Sequence, residues 1–208
     1  MFDLPTLMLF LAAALVIAVT PGPGILYVAA RALDGGRGEG IASSVGTGIG
    51  GMVHVLAGAV GVSALVLASA EAFTILKLVG AIYLVWLGIR TMRTAGAIVP
   101  GVGRATGDRV ALRQGIVVEA LNPKTAAFFL AFIPQFVDPA GAVALQFVVL
   151  GSISVVLNTA VDVVVACWAA ALRARIVARP ATLRRLRLAS GAAMVGLGAL
   201  LSVARRPS

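Results

Sequence analysis

Apolar residues in this chain come in long unbroken runs, separated by short stretches rich in arginine or in glycine and proline. A helix needs about 20 apolar residues to cross roughly 30 Å of hydrocarbon. Six runs meet that length, near 5–28, 41–69, 73–92, 111–134, 142–171 and 187–204. The first begins with Asp3 and carries no Lys or Arg ahead of it, unlike the charged start of a secretory signal. It is predicted to be a retained helix. The longer connections, near 93–110 and 172–186, leave no room for an enzyme domain.

Two of the six runs are interrupted. The first contains Thr20-Pro21-Gly22-Pro23-Gly24 and the fourth Asn122-Pro123-Lys124. Proline removes a backbone donor and clashes with the preceding turn, so neither stretch continues a straight helix. Backbone groups freed in this way cannot face lipid, and the breaks must be packed in protein or line a wet cavity. Pro21 and Pro123 lie 102 residues apart in a chain of 208, so each break falls early in one half. Three spans per half invert the second copy relative to the first. Paired Gly/Pro-interrupted segments in such halves point to a transporter's central site. Lys77, Gly80 and Gly88 in the third run are spaced much like Arg187, Gly191 and Gly198 in the sixth. The expected architecture is an all-α integral membrane protein of six transmembrane helices in two inverted three-helix repeats, with helices 1 and 4 broken. A single membrane domain, 1–208, would divide into repeats of about 1–95 and 109–208 joined by a cytoplasmic loop of about 93–110.

Composition agrees with a bilayer as solvent. Apolar residues make up 60% of the chain and charged residues 12%, against a globular norm of about 45–50% and 25%. A chain this small cannot hide that fraction in one core. The net charge of +9 does not indicate nucleic acid, because the basic residues sit between the apolar runs without interleaved aromatics. Thirteen of the 17 fall in the connections after runs one, three and five. By the positive-inside rule these face the cytoplasm and anionic lipid head groups, and both termini lie outside. Cys167 stands alone in an apolar run, which excludes an internal disulfide and suits a packing role.

The break at 20–23, the stretch Lys77-Leu78-Val79-Gly80-Ala81-Ile82-Tyr83-Leu84 with Trp86-Leu87-Gly88-Ile89-Arg90, and Asn122-Pro123-Lys124 with Pro134-Gln135-Phe136 resemble the LysE/RhtB family of amino-acid exporters. The resemblance covers nearly the whole chain in order and spacing. It implies export of amino acids such as threonine, homoserine, lysine or leucine from the bacterial cytoplasm across the inner membrane, driven by the proton gradient. The same superfamily includes proposed heavy-metal exporters.

Charge within a bilayer costs about 2.5 kcal/mol or more per residue, so each intramembrane polar group needs a reason. Lys124 follows the second break, where it could meet a substrate carboxylate or neutralise Glu119 or Asp162. Asn158 stands one turn before Asp162 on the same helix face; together they suit a substrate ammonium or a proton. Glu119 departs from the apolar residue expected before Asn-Pro-Lys in the family, and is either a feature of the site or a partner of Arg113. His54 shares a stripe with Gly46, Gly50 and Gly58; it suits a proton relay or a hydrogen-bonded core position. The glycines suit a close helix contact, within one bundle or in a homodimer. Helix starts after Pro23 and Pro123 would offer amides to a carboxylate. The substrate-binding candidates are therefore Thr20, Pro21, Gly22, Pro23, Gly24, Asn122, Pro123, Lys124, Asn158 and Asp162, and the proton-coupling candidates Asp162, Glu119 and His54. No HExxH motif, second His or Cys/His pair supports an intramembrane enzyme. One Cys and one His make a poor soft-metal site, and no cofactor or metal is expected.

Overall fold

A computed structural model describes residues 3–68 and 105–171 continuously, together with scattered helical positions between 75 and 93 and between 184 and 202. The matches Lys77, Gly80 and Gly88 with Arg187, Gly191 and Gly198 lie outside the described residues, as do most of the third and sixth predicted spans.

Helix α1, Leu4–Val19, starts where the Asp3 carboxylate accepts the Thr6 amide at 2.7 Å, with Pro5 in its first turn where no donor is lost. It stops because Thr20 precedes Pro21, which excludes helical geometry; Thr20 lies at φ −73°, ψ 111°. Helix α2, Pro23–Ala68, restarts on a proline. Helix α3, Asp108–Ala120, ends ahead of Asn122, which sits at φ −74°, ψ 110° before Pro123. The residue ahead of the first proline in each break thus has the same backbone conformation, 102 residues apart. Helix α4, Pro123–Ala127, widens into a π-helical turn at Phe128–Phe132 and tightens into a 3₁₀ turn at Ile133–Phe136. Across the second break the axis bends by 44°. Helix α5, Val143–Ala171, is unbroken over 29 residues, or about 43 Å at 1.5 Å per residue, longer than the hydrocarbon it would cross.

The polar stretch between the first and second predicted spans is not a loop. The chain stays helical except at Gly36, whose φ of 80° only glycine adopts readily. There it doubles back. Before Gly36, Gly24 packs on Glu119 and the Tyr27 hydroxyl donates to Ala111 O at 3.0 Å, so this arm runs antiparallel to α3. After Gly36, Gly46 lies against Leu112 and Gly115, and Gly50 against Ile116 and Ala120, so the second arm runs parallel to α3. The turn is fastened by charge. Arg31 and Glu39 form a buried ion pair at 3.7 Å, and Glu39 Oε1 accepts the Thr106 and Gly107 amides at 2.6 Å each. Arg31, expected as a cytoplasmic loop charge, is therefore an internal partner.

Two antiparallel pairings organise the rest. Helix α1 and the arm after its break lie antiparallel to α3 and α4: Phe10 meets Phe136, Lys124 reaches Ile17, and Tyr27 meets Ala111. The two breaks face each other at the centre of this pair. The second arm of α2 lies antiparallel to α5, with Gly40 against Ala166, Thr47 against Asp162, Gly51 against Val155 and Gly58 against the Phe147 ring. The main core gathers Phe10, Phe128, Phe129, Phe132, Phe147 and Leu150 beside the breaks. Leu9, Val53, Leu56, Val60, Val156 and Trp168 stay exposed on the outer helix faces, an apolar surface suited to lipid.

The stripe of Gly46 and Gly50 makes a close helix contact within the chain. A methyl added at Gly46 would collide with Leu112 O, and one at Gly115 would sit 2.7 Å from Ser43 O. Backbone cannot turn aside as a side chain can. We expect Gly46→Ala and Gly115→Ala each to destabilise the protein by about 1–3 kcal/mol, read as a lower melting temperature in detergent. Gly61→Ala, where nothing lies within 4 Å, should leave that temperature unchanged.

Candidate functional site

At the meeting of the breaks, α1 ends with open carbonyls in an apolar setting. The Lys124 ammonium answers them, donating to Ile17 O at 3.1 Å and Thr20 O at 2.9 Å. Lys124 is buried, and its stem lies across Gly22, where a Cβ would come within 3.0 Å of Cδ. Thr20 turns its own hydroxyl back to Val16 O. On the other side of the crossing Asn122 caps α4: Oδ1 accepts the Lys124 amide at 3.0 Å while Nδ2 donates to Glu119 Oε2 at 2.8 Å. The amide end of this half-helix is thus already met by the protein's own side chain. Pro21 is half-buried at the crossing and Pro23 exposed at the start of α2.

Glu119 is buried, and each oxygen has one donor, Thr125 Oγ1 at 2.6 Å on Oε1 and Asn122 on Oε2. Arg113 is exposed and is not its partner. Gly24 makes room for the carboxylate, since a Cβ there would strike Glu119 Oε2. A carboxylate accepts about four hydrogen bonds, so Glu119 retains capacity for two more. His54 Nε2 lies 2.9 Å from Glu119 O; a carbonyl only accepts, so this nitrogen carries the hydrogen. His54 thereby ties α2 to the end of α3, with its ring 5.8 Å from that of Phe129.

Asp162 is fully buried on α5. Its Oδ2 lies 2.8 Å from Thr47 Oγ1, and its Oδ1 has no hydrogen-bond partner. Ser154 Oγ, two turns earlier, is also buried without a partner. Unpaired buried polar atoms are rare and call for an explanation.

Between these groups lies a small cavity of about 20 Å³, room for about one water molecule. Thr47, Glu119, Thr125, Ser154 and Asn158 give it a polar side, while Ile17, Phe128, Phe129 and Val155 form apolar walls. Of the candidates read from the sequence, Glu119 and Asn158 line the cavity. Thr20, Gly22, Gly24, Asn122 and Lys124 build the crossing beside it, and Asp162 stands behind Thr47. Three lining hydroxyls, Thr47, Thr125 and Ser154, were not singled out from sequence. Their one signal there is a hydroxyl within an apolar run, which most membrane helices share.

The profile of the LysE type translocator family matches residues 15–205. The chain is 31% identical over 204 residues to an uncharacterized membrane protein of Vibrio cholerae, covering 98% of this chain and 99% of that one. It is 34% identical over 200 residues to a homoserine/homoserine lactone efflux protein of Salmonella typhimurium, covering 94% and 95%. A leucine efflux protein of Enterobacter sp. is 31% identical over 134 residues, 62% of each chain. No solved structure matches the chain. A family match over nearly the whole length, on a helical chain whose two proline breaks converge beside a polar cavity, makes this a multi-pass membrane protein belonging to the LysE type translocator family.

Proposed function

We propose that the protein exports amino acids from the bacterial cytoplasm across the inner membrane in exchange for protons, as a secondary transporter. The observation that carries this reading is the cavity beside two converging helix breaks. Irregular backbone at membrane depth is tolerated where it is packed in protein or lines such a space. The matching geometry of Thr20 and Asn122 and the antiparallel run of their helices support an inverted repeat of six spans, with repeats of about 1–95 and 109–208. In that architecture alternating access comes from rocking one repeat against the other around the central site.

The lining of the cavity matches the chemistry of a neutral amino acid, which would be admitted as the repeats rock apart and widen a space that is water-sized in this conformation. The substrate ammonium would fill the open acceptor positions of Glu119, its carboxylate would meet Ser154 and Asn158, and its side chain would rest on Phe128, Phe129 and Val155. Efflux relatives named for homoserine and leucine support neutral cargo; threonine and lysine are the other substrates to compare. Lys124, Asn122 and Thr20 would hold the crossing together rather than touch cargo. Asp162 would carry the exchanged proton, and His54 would serve as a packing hydrogen bond. Arginines on the connections would orient the chain and meet anionic lipid, with both termini outside. A homodimer would have to use faces other than the Gly46/Gly50 stripe.

Cells overproducing the protein should hold less intracellular homoserine or leucine than cells lacking it. Glu119→Gln, present in the membrane at the normal level, should cut that export roughly tenfold or more, the scale of a lost charge-assisted hydrogen bond. Equal pools in both strains, or undiminished export by the variant, would remove the reading or the role of Glu119 respectively. Orientation has its own check: a C-terminal alkaline phosphatase fusion should be active and the matching green fluorescent protein fusion dark, and the opposite pattern reverses the topology.

A further inference from the structure

Asp162 has no exposed surface, yet its partner Thr47 lines the cavity. The Thr47 hydroxyl lies 2.8 Å from two acceptors, Asp162 Oδ2 and the backbone Ser44 O. A hydroxyl has one hydrogen and cannot serve both at once. When Asp162 is ionised, that hydrogen points to Oδ2. When Asp162 is protonated, its own O–H donates to Thr47 Oγ1 and the threonine hydrogen turns to Ser44 O. In each state the Thr47 hydrogen and the carboxyl proton, when present, have an acceptor, so neither form strands that donor.

We propose that Thr47 is the positioning residue of the proton site, its hydroxyl turning between Ser44 O and Asp162 as the carboxylate loads and unloads a proton. The proposal rests on the proton-exchange reading above. On loading, a hydronium in the cavity passes a proton to Thr47 Oγ1 while the threonine's own hydrogen moves to Asp162 Oδ2. Water is left, the hydroxyl is regenerated, and the carboxylate becomes a carboxyl. Unloading runs in reverse. The charged groups that face Asp162 from neighbouring helices are Glu119 of α3 and Lys124 of α4. Helix α1 carries no titratable side chain, α5 carries only Cys167 besides Asp162, and on α2 Arg31 pairs with Glu39 while His54 bonds α3.

The test follows the infrared C=O stretch of protonated Asp162 in the purified full-length protein, assigned by its loss in Asp162→Asn. In parallel, proton movement is recorded in liposomes with homoserine and leucine as probes. Thr47→Val removes the donor to the ionised form, so the midpoint of the infrared titration should move up by about one pH unit or more. Probe-driven proton movement should shift with it. Thr47→Ser should restore both. An unchanged midpoint and proton flux in Thr47→Val would overturn the proposal and leave proton exchange standing. Probe transport without proton movement in the unmodified protein would overturn both. Should Thr47→Val fail to fold, Thr47→Ser and the unmodified protein still decide: no titrating Asp162 band in either overturns the proposal.

Discussion

A helix broken inside a bilayer leaves backbone carbonyls that water cannot reach, and the arrangement described here turns on how they are answered. The Lys124 ammonium, supplied from just past the second break, covers the carbonyls left by the first. The first break is thereby completed by a residue of the second, which Asn122 in turn caps from within. The dipole of α1 ends in partial negative charge at that point, which favours a cation there. Because the lysine stem must cross Gly22 and the Glu119 carboxylate must sit over Gly24, the glycines beside the prolines are sites of close approach as much as of chain freedom.

From this crossing the neighbouring chemistry takes its positions. Asn122 is fixed as a cap, its amide holds one oxygen of Glu119, and Thr125 on the next turn holds the other. His54 secures the backbone of the same glutamate from α2. One carboxylate is thus tightly held with acceptor capacity to spare, while Asp162, behind Thr47 and outside the cavity lining, is bonded through a single threonine. The two buried carboxylates thus differ in how they are held, one by two donors and the other by one hydroxyl.

The breaks and their spacing were legible in the sequence because proline acts locally: Thr20 and Asn122 adopt the geometry their following prolines dictate. The long apolar runs were legible because a crossing demands at least about 20 apolar residues, and α5 at Val143–Ala171 follows the run read at 142–171. What escaped were features created by pairing between distant segments. Glu39 looks like a loop charge until Arg31 and the Thr106 and Gly107 amides close around it. Thr47, Thr125 and Ser154 carry no charge to flag them, and only the packing of α2 on α5 and the turn after Pro123 gathers them around one space. The reversal at Gly36 falls within the connection expected between the first two runs, and what escaped is only that helix continues up to it from both sides.

The second arm of α2 is gripped differently on its two sides. Against α3 the contact is backbone on backbone, Gly46 on Leu112 O and Gly115 on Ser43 O, which fixes one register with no side chain able to yield. Against α5 the same arm meets Thr159, Val155 and Phe147, side chains that can change rotamer. The two seams of this arm therefore differ in what can yield, backbone against α3 and mostly side chains against α5. The Thr47–Asp162 hydrogen bond spans the side-chain seam, so a small movement of α5 on α2 would lengthen or shorten it while leaving the α3 contact intact.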